Sequence, residues 1–182
     1  MKKIETLFIR DFDNDPRYVT ETVNPKSQWV IDGEGVATRK YDGTCCAIIN
    51  GIFVKRYEVK QGGEPPFGFI PANDVDVNTG KQQGWVEVVN GNEDRWHREA
   101  YEHLEDKSDG TFELLGPKIQ GNPEKFETHI LFRHSQAEQY LFAPRTYNEL
   151  KEWFKDKEIE GLVWHHSDGR MAKLKKKDFP QP

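Results

Sequence analysis

The stretch Thr38-Arg39-Lys40-Tyr41-Asp42-Gly43-Thr44-Cys45-Cys46-Ala47-Ile48-Ile49-Asn50-Gly51-Ile52-Phe53-Val54 alternates β-forming runs with turn signals. Thr44 to Asn50 and Ile52 to Val59 are rich in β-branched and aromatic residues, and Asn50-Gly51 between them predicts a tight hairpin. One step back, a β-type run ends at Lys40 and the turn-forming pair Asp42-Gly43 follows. Pleating puts Val36, Thr38 and Lys40 on one face. The lysine therefore sits at a strand end, where a loop can shape a pocket around it.

Outward from this segment, Gly84 to Val89, Thr111 to Leu115 and Thr128 to Phe132 read as further strands. Asp94 to Glu105 has helical composition, with Trp96, Ala100, Tyr101 and Leu104 at spacings near 3.6. Thr146 to Lys157 is the clearest helix: Thr146 and Glu149 form a capping-box pattern, and Leu150, Trp153 and Phe154 an apolar stripe. Leu162 to His165, a turn at Ser167-Asp168-Gly169, and Arg170 to Lys177 predict a terminal hairpin. The fold class is α+β, dominated by antiparallel sheet with a few flanking helices. Residues 61–84 carry Gly62-Gly63, Pro65-Pro66, Pro71 and Asn78-Thr79-Gly80 and read as a long loop, either functional or a plain insertion.

The 182 residues, with five Trp, six Tyr and eleven Phe, suffice for one packed domain spanning 1–182 without disulfides. Lys and Arg number 26 against 31 Asp and Glu, a net charge of −5. That argues against coating nucleic acid nonspecifically but leaves room for a local basic site. Cys45 and Cys46 are adjacent, offer no metal-ligand spacing and read as reduced strand residues. The absence of any long apolar window, and of a signal-peptide core after Met1, predicts a cytoplasmic protein with no membrane partner. His129, His165 and His166 have no zinc spacing and read as ordinary strand residues.

A lysine side chain is a nucleophile only when neutral, and its ordinary pKa is about 10.4. Burial or nearby positive charge must lower it. Alone, Lys-x-Asp-Gly is a weak signal, since most such tetrapeptides are surface turns. Its context is richer: Thr111-Phe112-Glu113-Leu114-Leu115-Gly116-Pro117-Lys118-Ile119-Gln120 follows, then Glu160-Gly161-Leu162-Val163, then Met171-Ala172-Lys173-Leu174-Lys175. In this order the elements resemble the covalent nucleotidyltransferase superfamily of RNA ligases, DNA ligases and mRNA-capping enzymes. Glu113 to Gln120 looks most like the RNA ligase 2 branch. The Lys-Tyr-Asp-Gly-Thr stretch is similar to 5′-to-3′ RNA ligases. The resemblance covers Ala37 to Phe179.

The resemblance implies a nucleotidyltransferase core, related to ATP-grasp-like ligases, that joins an RNA 3′-hydroxyl to a 5′-phosphate. ATP would be the AMP donor, magnesium (or manganese) the metal, and the role RNA repair. Lys40 would attack the α-phosphate and carry AMP. Asp42 and Gly43 would complete the first motif, and the backbone at Thr38 and Arg39 would read adenine. Arg56, favoured over its neighbour Lys55, which is expected to be solvated, would touch ribose or RNA phosphate. Glu113 would bind the ribose hydroxyls and Phe132 stack on adenine. Glu160 would hold the metal. Lys173 and Lys175, two apart on one strand face, would contact the α-phosphate and lower the pKa of Lys40, while Lys176 and Lys177 are placed for RNA phosphates. No appended OB-fold or C-terminal helical domain is expected, which would disfavour a capping enzyme, and a monomer is favoured. The alternatives are a noncatalytic nucleotide- or RNA-end-binding module and a minimal ATP-dependent DNA ligase.

Overall fold

The computed structural model describes residues 4–77 and 79–180; Met1 to Lys3, Asn78 of the long loop and the final Gln181-Pro182 lie outside the described residues. In chain order the elements are β1 (Glu5–Thr6), β2 (Phe8–Asp11), β3 (Asp15–Val23), α1 (Gln28–Ile31), β4 (Val36–Lys40), β5 (Thr44–Ile49), β6 (Ile52–Val59), β7 (Ile70–Pro71) and β8 (Gln82–Glu87). They continue with α2 (Arg95–Glu102), β9 (Gly110–Leu115), β10 (Ile130–Arg133), β11 (Gln139–Tyr140), α3 (Tyr147–Lys155), β12 (Gly161–His165) and β13 (Met171–Lys175). The chain is α+β with mostly antiparallel sheets, as its sequence implies. It divides into two compact units, Asp42–Gln136 and Ile4–Tyr41 with the chain from Ala137 onward. Among the described residues no helix is long and apolar enough to cross a membrane.

The unit Asp42–Gln136 is built on a six-stranded sheet ordered β10-β9-β5-β6-β8-β7. The hairpin β5–β6 forms where Asn50-Gly51 predicts it, with both residues at positive φ. One face carries Cys46, Ile48, Phe53, Phe112, Leu114 and Leu131, and Ala100, Trp96, Tyr101 and Leu104 of the α2 segment pack against it. The helix is shorter than its composition suggests: it ends at Glu102, and Asp94 stands at its N-terminal end as the buried partner of Lys55. The 61–84 stretch is not loop throughout: β7 adds an edge strand to β8, and Ala72 packs on the cluster of Ala47, Val54 and Trp85.

The unit Ile4–Tyr41 with Ala137 onward carries a five-stranded sheet ordered β1-β13-β12-β4-β11 and the hairpin β2–β3. In β13 burial alternates strictly, Ala172 and Leu174 inward, Met171, Lys173 and Lys175 partly exposed. The inward face joins Leu162 and Trp164 of β12, Ala37 of β4, and Leu150 and Phe154 of α3 in one core. Leu7, Phe8 and Val19 of the N-terminal strands complete that core. The terminal hairpin is shorter than read from sequence: Lys176 to Asp178 form a 3-10 turn rather than strand. The capping box at α3 is also not formed. The Thr146 hydroxyl donates to the Glu149 carboxylate at 2.6 Å instead of accepting a backbone N–H.

Candidate active site

Strand register gathers the lysines. Lys40 and Lys175 both lie opposite Gly161, one on each side of β12, and Thr38 and Lys173 both lie opposite Val163. Registered neighbours share a face, so Thr38, Lys40, Lys173 and Lys175 all stand on the outer face of this sheet. Gly161 keeps the row closed. A Cβ there would lie 2.2 Å from the Leu174 carbonyl oxygen and 2.8 Å from the Lys175 Cα.

Glu160 enters from just before β12, its backbone carbonyl accepting the Lys176 N–H at 2.8 Å. Its carboxylate is only 5% exposed and bridges two ammonium groups: Lys40 Nζ donates to Oε2 at 2.5 Å, and Lys175 Nζ lies 2.5 Å from Oε1. The second contact is an ion pair without good hydrogen-bond alignment, since Oε1 accepts no directed hydrogen bond. Burial pushes the Glu160 carboxyl up, but Lys40 and Lys175 together outweigh it and hold it below its ordinary value. Lys173 is different. Burial, reinforced by the charges of Lys40 and Lys175, brings its pKa down to about 8.

Two residues missed in the sequence support the cluster. Asp178 is buried; its Oδ2 accepts the Lys175 backbone N–H at 2.8 Å, and its Oδ1 pairs with Arg10 at 2.9 Å. The run Lys175-Lys176-Lys177-Asp178 draws the eye to its cations and hides the one acid. Lys176 spends its ammonium within its own unit. Its Nζ donates to the Lys155 and Lys157 carbonyls at 3.1 and 2.9 Å, closing the C-terminal end of α3. Thr38 spends its hydroxyl inside the sheet, on the Val163 carbonyl at 3.2 Å and the His165 ring at 3.0 Å. The Arg39 N–H donates to the Glu138 carbonyl at 2.8 Å, and its guanidinium lies over Tyr41.

The other expected site residues belong to the unit Asp42–Gln136 and form a row across its sheet. Phe132 of β10 lies opposite Glu113 of β9, and Glu113 lies opposite Cys45 of β5. The pairing of Cys46 with Lys55 brings Arg56 beside Cys45, with which it hydrogen-bonds, and Arg56 is opposite Trp85. The Arg56 guanidinium sits 4.0 Å from the Trp85 ring centroid. Lys55 projects to the other face, and it is not solvated: its ammonium pairs with the fully buried Asp94. Cys45 is reduced, and burial raises its thiol to about 11, so it is no nucleophile.

Asp42 donates its N–H to Glu124 at 3.1 Å, and Gly43 follows against β9. A Cβ on Gly43 would meet the Leu114 carbonyl oxygen at 2.3 Å and Glu113 Cγ at 2.9 Å. The glycine is thus required by strand packing beside Glu113. His134, which offers no motif in the sequence, places Nε2 2.9 Å from Glu113 Oε2, which accepts, and Nδ1 2.9 Å from Thr111 Oγ1. His129 is buried before β10, bonded to Glu99 at 2.8 Å and stacked on Trp96. Among the described residues no group of three or more His, Cys, Asp or Glu is arranged to hold a metal.

Known proteins add a finding. The family model for RNA ligase 1 matches residues 92–180, a span that includes Glu113, Phe132, Glu160, Lys173 and Lys175 and begins after Lys40. The chain is similar to RNA ligase 1 of Mus musculus, 25% identical over an alignment 228 positions long that covers 85% of this chain and 70% of the relative. The corresponding protein of Rattus norvegicus is 26% identical with the same coverage. That of Pongo abelii is 23% identical, covering 95% of this chain and 79% of its own. The resemblance to RNA ligases read from the motifs is borne out.

Proposed function

We propose that this RNA-ligase-like chain is an ATP-dependent enzyme that joins RNA 3′-hydroxyl and 5′-phosphate ends through AMP carried on Lys40. The observation that carries the reading is the lysine cluster: Lys40, Lys173 and Lys175 share one sheet face around a single buried carboxylate, Glu160. Three cations against one anion leave net positive charge where a triphosphate needs it. In the first step the Lys40 nitrogen forms a bond to the α-phosphorus, the bond to pyrophosphate breaks, and pyrophosphate leaves. The attack needs the Lys40 lone pair, so Lys40 gives up a proton to solvent and its contact with Glu160 before the bond forms. Lys173 and Lys175 then face the charge that develops on the α-phosphate oxygens. The RNA 5′-phosphate then takes the AMP as the Lys40 N–P bond breaks, and the 3′-hydroxyl, losing its proton, attacks that 5′-phosphate and expels AMP.

Magnesium or manganese suits this site only in part through protein ligands. Glu160 offers hard carboxylate oxygens, one of them released when Lys40 withdraws, and phosphate oxygens and water must complete the shell. When bound, the ion neutralises phosphate charge. The half-buried Phe132 opposite Glu113, an aromatic beside an acceptor-only carboxylate, suits a nucleoside.

Intact mass after incubation with ATP and magnesium tests the reading. The wild-type protein should gain one AMP, and Lys40→Ala should gain none. An unmodified wild type would refute the covalent route. Sealing assays on RNA and DNA ends in parallel should favour RNA; equal or better DNA joining would make this a DNA ligase.

A further inference from the structure

We infer that His134 is the positioning residue for Glu113, and so sets how strongly this protein distinguishes a ribonucleotide from a deoxyribonucleotide. The inference rests on the proposed role of Glu113 at the ribose. Glu113 projects from a central strand with its side chain 11% exposed. Such a carboxylate has free rotation about its terminal torsion unless something holds it. His134 does so: its Nε2 lies 2.9 Å from Glu113 Oε2, while its Nδ1 lies 2.9 Å from the Thr111 hydroxyl. Thr111 and Glu113 are two apart on β9 and so share a face, and the 3-10 turn after β10 brings the ring onto both.

The polarity of this chain follows from donor counting. A carboxylate only accepts, so Nε2 must carry the proton that faces it. In the neutral ring Nδ1 then accepts from the Thr111 hydroxyl, so Thr111 selects the tautomer that serves Glu113. With Oε2 engaged, Oε1 makes no hydrogen bond among the described residues and is presented on the face that also carries Phe132. A fixed acceptor beside an aromatic plane is what a ribose hydroxyl below a stacked base requires. A carboxylate free to turn would bind the nucleotide phosphates no worse and read the hydroxyl poorly.

The test is equilibrium binding of ATP, 2′-deoxyATP and 3′-deoxyATP to the full chain. Wild type should bind ATP about 10–100-fold tighter than at least one deoxy analogue, the value of one hydrogen bond to a charged acceptor. Glu113→Ala and His134→Ala should each reduce that preference to within about threefold, and the double variant should go no lower than Glu113→Ala. His134→Gln keeps an N–H donor and should recover part of the preference; Thr111→Val should lose part of it. The inference is overturned if folded His134→Ala retains full discrimination and Glu113→Ala does not, if folded His134→Gln discriminates no better than His134→Ala, or if wild type shows no discrimination. It stands apart from the covalent step. A wild type that discriminates but takes up no AMP refutes the Lys40 reading and leaves His134 as assigned.

Discussion

Each unit of this protein buries a carboxylate against lysine, and the two arrangements differ in balance. In the unit Asp42–Gln136, fully buried Asp94 takes the Lys55 ammonium and also accepts the Val89 N–H at 2.9 Å, so one anion meets one cation and a backbone donor. In the other unit, Glu160 meets two ammonium groups, and Lys173 stands near them without an ion-pair partner among the described residues. A balanced pair needs nothing further and holds the α2 side of its sheet together. An unbalanced cluster stores electrostatic cost that an arriving anion relieves. The surplus of cation, rather than the presence of lysine, separates the proposed site from scaffolding here.

The comparison breaks first at Lys40. Lys40→Ala should abolish uptake of AMP outright, read by intact mass, because no neighbouring lysine occupies its position opposite Gly161 on β4. Replacing the two carboxylates comes next. Glu160→Gln leaves Lys40 and Lys175 without their anion and should lower AMP uptake at least about 100-fold, with a stability loss of roughly 3 kcal/mol by denaturant melts. Asp94→Asn should cost a similar roughly 3 kcal/mol, yet leave AMP uptake per folded molecule within about twofold. If the two variants lose activity alike, the distinction between balanced pair and site collapses.

The smallest effect sharpens the role of the unpartnered lysine. With a folded pKa of about 8 against an ordinary 10.5, Lys173 is released by the folded state while the unfolded chain still holds its proton. Stability should therefore rise between about pH 8 and 10.5, as its charge ceases to be forced on the folded protein. Nucleotide affinity should move the other way, falling a few-fold as pH passes about 8, because the same charge is lost to the phosphates. Lys173→Arg keeps its charge and should flatten that fall, measured by ATP titration across pH 7 to 9.

Much of the lysine cluster was legible because it depends on strand periodicity. Lys173 and Lys175 share a face by spacing alone, and Lys40 ends a strand before Asp42-Gly43. Arg56 and Lys55 were separable in principle for the same reason, but the fate of Lys55 was not, since its partner Asp94 lies 39 residues on at the start of α2. The N-terminal strands β2 and β3 went unread because their polar residues mask the few, Phe8 and Val19, that reach the core. His134 offered no motif; only the register of β9 with β10 carries it to Glu113.

By itself the sequence determined the hairpin at Asn50-Gly51, the mainly antiparallel class, and the face on which each lysine stands, because backbone geometry and pleating are local. Tertiary structure alone decided the partners. That Lys40 and Lys175 share Glu160, that Lys173 is left charged at a cost, that Gly43 and Gly161 admit no side chain, and that His134 holds Glu113 all follow from register between strands far apart in the chain. Register is set by packing of whole sheets, and no short stretch of residues contains it.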